Sequence, residues 1–470
     1  MTEERDLQPD PEMDGQVGAW LVETDLSAGE TTPGLTELLE EFPVTPQTRR
    51  RLWGRWFGRG DGGVRRARDD DERDSGNSGR NRIMFSATGL LGAIVVLALV
   101  VNLGGSFDGN DSPSRGAGQT HVVALDGSAD HRSITDAVAL AEDGDTILVR
   151  PGLYLESVEI DKDLTVAGDG DRDQVVIRIP EEGPTAEWFA WDLAYAFHLH
   201  DSKAEVRNLT ITGPGSSVSA FVVRDGDATI AENVVALDPQ VIQSPRGLAY
   251  VVGVSNVTLN DNVSDGFVWV ANGAALMAQR NEHLPVSDTG PSFRIDGAGS
   301  TAQVVDNEAM LILVHKGATA TAEGNVVGGG TDTSWTVAAC RLDIDSAGPG
   351  VIVTGNTIVG GGQGICATDT SALTLSHNEV IEASIAGISL SATDALVASN
   401  HVSGTGIGVS LQGGTSEMTG NIINATRVGI ALLAEDTVVS LSGNRVCATK
   451  TAINLSGGAA APDSSADTTC

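Results

Sequence analysis

Beyond residue 200 the chain repeats one short phrase: a few positions in which apolar and polar residues alternate, then an asparagine, then another apolar pair. It reads AEVRNLTI at Asn208, ATIAENVV at Asn233, VTLNDNVS at Asn262, ALMAQRNE at Asn281, AQVVDNEA at Asn307 and ATAEGNVV at Asn325. It continues as VIVTGNTIVG at Asn356, LTLSHNEV at Asn378, ALVASNHV at Asn400, EMTGNIIN at Asn421 and VSLSGNRV at Asn444. Alternation of this kind marks strands with one buried face, and none of these segments has helical spacing. The asparagines recur every 18–31 residues, and the last four intervals are 22, 22, 21 and 23. Such a period is the signature of a solenoid, in which each repeat buries its apolar face against its neighbours.

Two or three short strands per period, joined by glycine-rich corners, predict an all-β fold. The expected form is a single-stranded right-handed parallel β-helix of about a dozen coils over residues 120–458. The recurrent asparagine suits it twice over. It tolerates the left-handed backbone of a sharp corner, and stacked amides can hydrogen-bond from coil to coil. The column is therefore read as structural. An open first coil needs a cover, and HRSITDAVALAEDGDT predicts an N-terminal capping helix. Ser133 is its N-cap, Asp136 stands at the third position, and Ile134, Ala137, Val138 and Ala141 form its apolar face. Composition agrees: 57 glycines and only 4% aromatics fit tight turns and short strands better than a compact α/β core.

One stretch breaks the pattern. Ile83–Leu103 is 21 residues without a charge, a helix of about 32 Å and long enough to cross a bilayer core. Six arginines between Arg65 and Arg82 precede it, and only Arg115 follows closely. The positive-inside bias then puts the N-terminus in the cytoplasm and the larger C-terminal part outside a plasma membrane crossed once. On this reading residues 1–82 are a mostly disordered cytoplasmic tail, 83–103 the transmembrane helix, 104–119 a linker, 120–458 the β-helix and 459–470 a C-terminal tail. Within the first tail, RRRLWGRWFGR (49–59) has two readings. It is an amphipathic segment on an anionic leaflet, or juxtamembrane disorder that Gly54 and Gly58 would favour.

The net charge is −34, of which residues 1–82 carry only six. The outer part is thus strongly acidic and expected to repel nucleic acid. All four cysteines, Cys340, Cys366, Cys447 and Cys470, lie there, where disulfides are permitted. Cys340 with Cys366, and Cys447 with Cys470, are the natural pairs; bonded and free states are both open.

Residues 133–170, SITDAVALAEDGDTILVRPGLYLESVEIDKDLTVAGDG, resemble the opening of pectin methylesterases and of the broader pectin-lyase-like superfamily, and the later coils resemble its β-helix repeat. The resemblance spans roughly 120–458 and implies the fold. Catalytic signatures that it would imply, such as QDTL, DFIFG, GRPW or GHG, do not occur. A calcium-dependent lyase site has no short universal string and stays open.

Equivalent positions on successive coils become neighbours. Aligning the turns gives a polar row through His200, Arg224, Ala271, Asp296, His315-Lys316, and Asp343 with Asp345. Asp296, His315, Lys316, Asp343 and Asp345 are the catalytic candidates, suited to acid/base work or to a hard cation. Turns require such residues anyway, so a purely structural column is the competing reading. The aromatic segment Glu182–Asp201 supplies carbohydrate-binding candidates, Trp188, Trp191, Tyr195 and His200, against the alternative of a loop packed on the coils. Two functions follow. One is a membrane-anchored, non-catalytic β-helix that binds polysaccharide or an envelope protein, with no cofactor or assigned metal. The alternative is a polysaccharide lyase or epimerase using calcium in a central groove.

Overall fold

The computed structural model describes residues 118–188, 191–214, 217–237, 246–283, 292–328, 340–457 and 467–470. The expected span 83–103, the tail before it and the basic-aromatic segment 49–59 lie outside them. Among the described residues no helix is long and apolar enough to cross a membrane.

The described chain winds into a right-handed parallel β-helix of about 13 turns. In Lys203–Arg207, Asp227–Ala231 and Asn256–Asn260 the second and fourth side chains are buried and the others face outward. Each coil contributes one such strand to a 14-stranded sheet running from Thr120–Val123 to Val438–Ser442. The register is residue for residue: Ala228 pairs with Ala204 on one side and Val257 on the other. The remaining strands form two further parallel ladders, which merge in the long strands His401–Gln412 and Ile422–Leu432. A single apolar cluster of stacked Val, Ile, Leu and Ala runs from Val123 to Val446 inside the coils. Phe197 stacks on Phe221 within it at 5.6 Å. One described pairing departs from the parallel rule, the hairpin of Thr185–Trp188 with Trp191–His200.

The asparagine column is a continuous hydrogen-bonded ladder. From Asn233 through Asn262, Asn281, Asn307, Asn325, Asn356, Asn378, Asn400 and Asn421 to Asn444, each Nδ2 donates to the next Oδ1 at 2.8–3.2 Å. That same oxygen also accepts the backbone N–H of the preceding asparagine, as in Asn325 to Asn356 at 2.9 Å. All ten are buried. The ladder ends on Asp467, whose Oδ1 accepts from both Asn444 N and Asn444 Nδ2. An acceptor-only carboxylate complements the exposed donor end of a column of aligned amides.

The geometry differs from expectation in one respect. None of these asparagines is left-handed; the residue before each takes the corner. Glu232, Asp261, Arg280, Asp306, His377 and Ser399 have φ of 54–60°, and glycines fill the equivalent place at 324, 355, 420 and 443. Asn208 is out of phase with the series. It occupies the corner itself with φ 59°, and Leu209 takes the inner position, its N–H donating to Asn233 Oδ1. The two demands read onto one residue are thus divided between neighbours.

Both ends are closed. The helix Ile134–Leu140 buries Ile134, Ala137 and Val138 against the first coil, with Asp136 N–H donating to Ser133 Oγ. Glu156 accepts from the N–H groups of Ile134 and Thr135, and Lys162 Nζ donates to the carbonyls of Val138, Ala139 and Ala141. At the far end Thr468–Thr469 add to Arg445–Ala448, and Cys447 is bonded to Cys470.

Asn356→Ala removes the acceptor of two buried donors on Asn325. It should cost about 2–6 kcal/mol, at about 1–3 for each stranded group. Urea unfolding followed by circular dichroism checks this; a loss under about 0.5 kcal/mol, typical of surface changes, would mean the ladder is not holding the coils.

Candidate functional site

The coils place the predicted row with little slippage. His200 pairs with Arg224, Arg224 with Val252, Asp296 with His315, and His315 with Asp345. Asp343 stands two residues back on the same face, level with Leu313. Phe293 and Ile295 are in the interior, so Arg294 and Asp296 project outward from the same strand.

Two of the five catalytic candidates, His315 and Asp343, approach one another here, and Asp296 is the register partner of His315 on the preceding coil. Asp296 is nearly buried and its Oδ2 accepts from Arg294 Nε at 2.6 Å; its Oδ1 has no hydrogen-bond partner among the described residues. The Arg294 guanidinium also lies 4.3 Å over the ring of Trp269. On the next coil His315 places Nε2 3.4 Å from Asp343 Oδ2, close enough for attraction but outside hydrogen-bond geometry. Both the imidazole and the carboxylate are partly buried. Lys316 and Asp345 are exposed at the adjoining corner, Lys316 with φ 55° and Asp345 accepting from Ser346 Oγ.

A different face carries an open depression of about 380 Å³ across four coils of the 14-stranded sheet. Its floor is two in-register rows, Asn256, Ala275, Thr301, Thr319 and Thr258, Met277, Gln303, Thr321. Every one of these side chains is uncharged, and Asn256, Met277, Thr301 and Gln303 are exposed. Sequence reasoning passed over these positions because threonine and glutamine on the outer face of a strand carry no motif; only the register reveals that they adjoin.

The aromatic candidates divide. The side chains of Trp188 and Trp191 lie outside the described residues. Tyr195 is covered by Ala186 of the hairpin and by Val222, which removes it from any ligand. His200 belongs to a cluster with Glu159 and His198: its Nε2 is 3.0 Å from Glu159 Oε1, and His198 Nδ1 is 3.8 Å from the same oxygen. Burial, and then the neighbouring His200, hold the His198 pKa below its usual value. Glu159 went unnoticed in the sequence because it belongs to the first coil, before the asparagine phrase begins.

Both cysteine pairs are disulfides. Cys340 and Cys366 link successive coils with Cα atoms 5.9 Å apart, although strand register pairs Cys366 with Asp343 and Cys340 with Gln363. Cys447 and Cys470 are 4.8 Å apart at Cα.

Residues 303–446 match the family model of the right handed beta helix region. No curated protein matches the chain. Among solved structures it is similar to the mannuronan C-5 epimerase AlgE4 A-module of Azotobacter vinelandii, at 15% identity and a TM-score of 0.41, over 70% of this chain and 93% of that one. It is also similar to the periplasmic alginate epimerase AlgG, at 8% and 0.31 over 69% and 76%. A third is tailspike protein 3 of bacteriophage CBA120, at 14% and 0.34 over 69% and 56%. These likenesses concern the fold.

Arg294→Ala strands a nearly buried Asp296 carboxylate without its cation and should destabilise the protein by about 3–5 kcal/mol. The double variant Arg294→Met with Asp296→Leu should recover most of that. Denaturant midpoints of the two variants decide, and a single variant as stable as the parent would show the pair to be solvated.

Proposed function

We propose that the chain is a single-pass membrane protein that presents its β-helix outside the cell and binds a neutral polysaccharide along the 14-stranded sheet. The observation that carries this reading is the uncharged depression over Asn256, Thr258, Met277, Thr301, Gln303, Thr319 and Thr321. Hydroxyl and amide groups exchange hydrogen bonds with sugar hydroxyls, and the exposed thioether of Met277 offers an apolar contact for a ring face. Each coil advances about 4.8 Å, comparable to one sugar residue, so successive coils can repeat one set of contacts along a chain lying parallel to the axis. An acidic exterior disfavours a polyanionic ligand there. Anchoring rests on the charge-free stretch Ile83–Leu103 and the arginines before it.

A second reading is supported by His315 beside Asp343. In it His315 removes a proton next to the carboxylate of an acidic sugar and Asp343 stabilises the imidazolium that results. The carbanion then either expels the neighbouring glycosidic oxygen, which takes up a proton, leaving an unsaturated residue, or accepts a proton from water on its opposite face, giving the inverted residue. Calcium would supply charge neutralisation, with carboxylates such as Asp343 and Asp345 as the ligands a hard cation prefers.

Detergent-solubilised full-length protein titrated calorimetrically with a soluble neutral glucan or mannan should show saturable binding. Thr301→Lys should weaken it by about tenfold or more, equivalent to at least 1.4 kcal/mol. Equal binding by Thr301→Lys, or none by the parent, rejects the depression as the site. Incubation with a polyuronate and calcium tests the second reading: absorbance of an unsaturated product, or epimerisation seen by NMR, must appear and be abolished by His315→Ala.

A further inference from the structure

We infer that Glu159, His198 and His200 form a binding site for one divalent transition-metal ion of the zinc class, separate from both surfaces described above. His198 and His200 are alternate residues of the strand Trp191–His200, so both imidazoles leave the same face. Glu159 lies beside them on the neighbouring coil, directly paired with His198. One nitrogen from each histidine and one carboxylate oxygen of Glu159 all lie within 4.8 Å of one another. A tetrahedral zinc site with bonds of about 2.0–2.2 Å places its donors roughly 3.3–3.5 Å apart. The observed 3.0 Å and 3.8 Å bracket that distance. The remaining adjustment falls to Glu159, whose side chain is 61% exposed and free to rotate.

The surroundings favour a metal over a simple histidine–carboxylate contact. His200 Nδ1 is 3.4 Å from Asp201 Oδ2, which can accept its hydrogen and so release Nε2, now placed to donate to Glu159 Oε1 at 3.0 Å, as a ligand for the ion. Asp201 is fixed at the strand's left-handed corner, φ 51°. The His198 ring also packs near Tyr195, 5.3 Å between centroids. Arg224 is the nearby cation, and its Nη2 is engaged by the carbonyl of Glu187. Two imidazoles and one carboxylate are a donor set that suits zinc and its first-row neighbours rather than calcium or magnesium. The four cysteines are all in disulfides and do not compete.

The test uses the full chain, purified without a histidine tag and kept oxidised. Zinc titrated against a chromophoric chelator should occupy one site, and cobalt should give the visible absorption of a four-coordinate ion. His200→Ala should lose the site, and Asp201→Asn should weaken it about 10–100-fold, the usual effect of removing a ligand's outer partner. His401→Ala, which removes a histidine beside Glu379 and Asn424 and away from the cluster, should leave it unchanged. Zinc should also raise the unfolding temperature of the parent, because a ligand that binds only the folded state stabilises it, but not that of His200→Ala. Failure of the parent to bind zinc below about 100 μM, a Kd weaker than roughly −5.5 kcal/mol, overturns the proposal. So does zinc binding by His200→Ala as tight as the parent's.

Discussion

Every coil of a parallel β-helix must hand its unpaired backbone groups to the next coil, and it must do so in register. The asparagine ladder enforces this. A buried amide that donates to the amide above and accepts both from the one below and from its backbone cannot slip by one residue without stranding three polar contacts. A one-residue slip would also turn each apolar row outward. Register therefore follows from two independent penalties that point the same way. What the fold offers functionally, side chains about a coil apart in sequence becoming neighbours, depends on it.

The same condition explains how the chain ends. A ladder of aligned amides terminates in unsatisfied donors on one side, and Asp467 supplies an acceptor with no donor of its own. The Cys447–Cys470 bond and the pairing of Thr468–Thr469 with Arg445 and Val446 hold that carboxylate in place. Glycine takes part where two ladders approach too closely for a side chain. Gly364, Gly387, Gly408 and Gly429 follow one another through four coils, and a Cβ on Gly387 would lie 2.8 Å from the Gly408 carbonyl oxygen and overlap Val402.

Much of this could be read from the residues alone, because a one-dimensional repeat prints its period in the chain. The asparagine phrase located the coils, and aligning turns put Asp296, His315 and Asp345 in what proves to be one row. Two things stayed hidden for physical reasons. Corner and ladder are adjacent positions that both accept asparagine, so Asn208 could not be distinguished from the inner series until φ was known. The Asn256–Thr321 depression uses ordinary outward residues whose significance arises only from being side by side in four strands.

Glu159 shows the limit most clearly. It lies 41 positions from His200, nearly two repeat lengths, because the intervening chain includes the antiparallel hairpin Thr185–Trp188 with Trp191–His200. An insertion of this kind breaks the period that makes neighbours legible, and it does so at the coil where polar side chains are gathered outside the stack. The interior has no freedom to bear such a group: a charge among the stacked Val and Ile columns would meet no partner. Chemistry in this architecture is therefore confined to the outer faces and to coils that depart from the repeat. The regular coils, whose amides and apolar rows are fully committed to one another, fix where those departures stand.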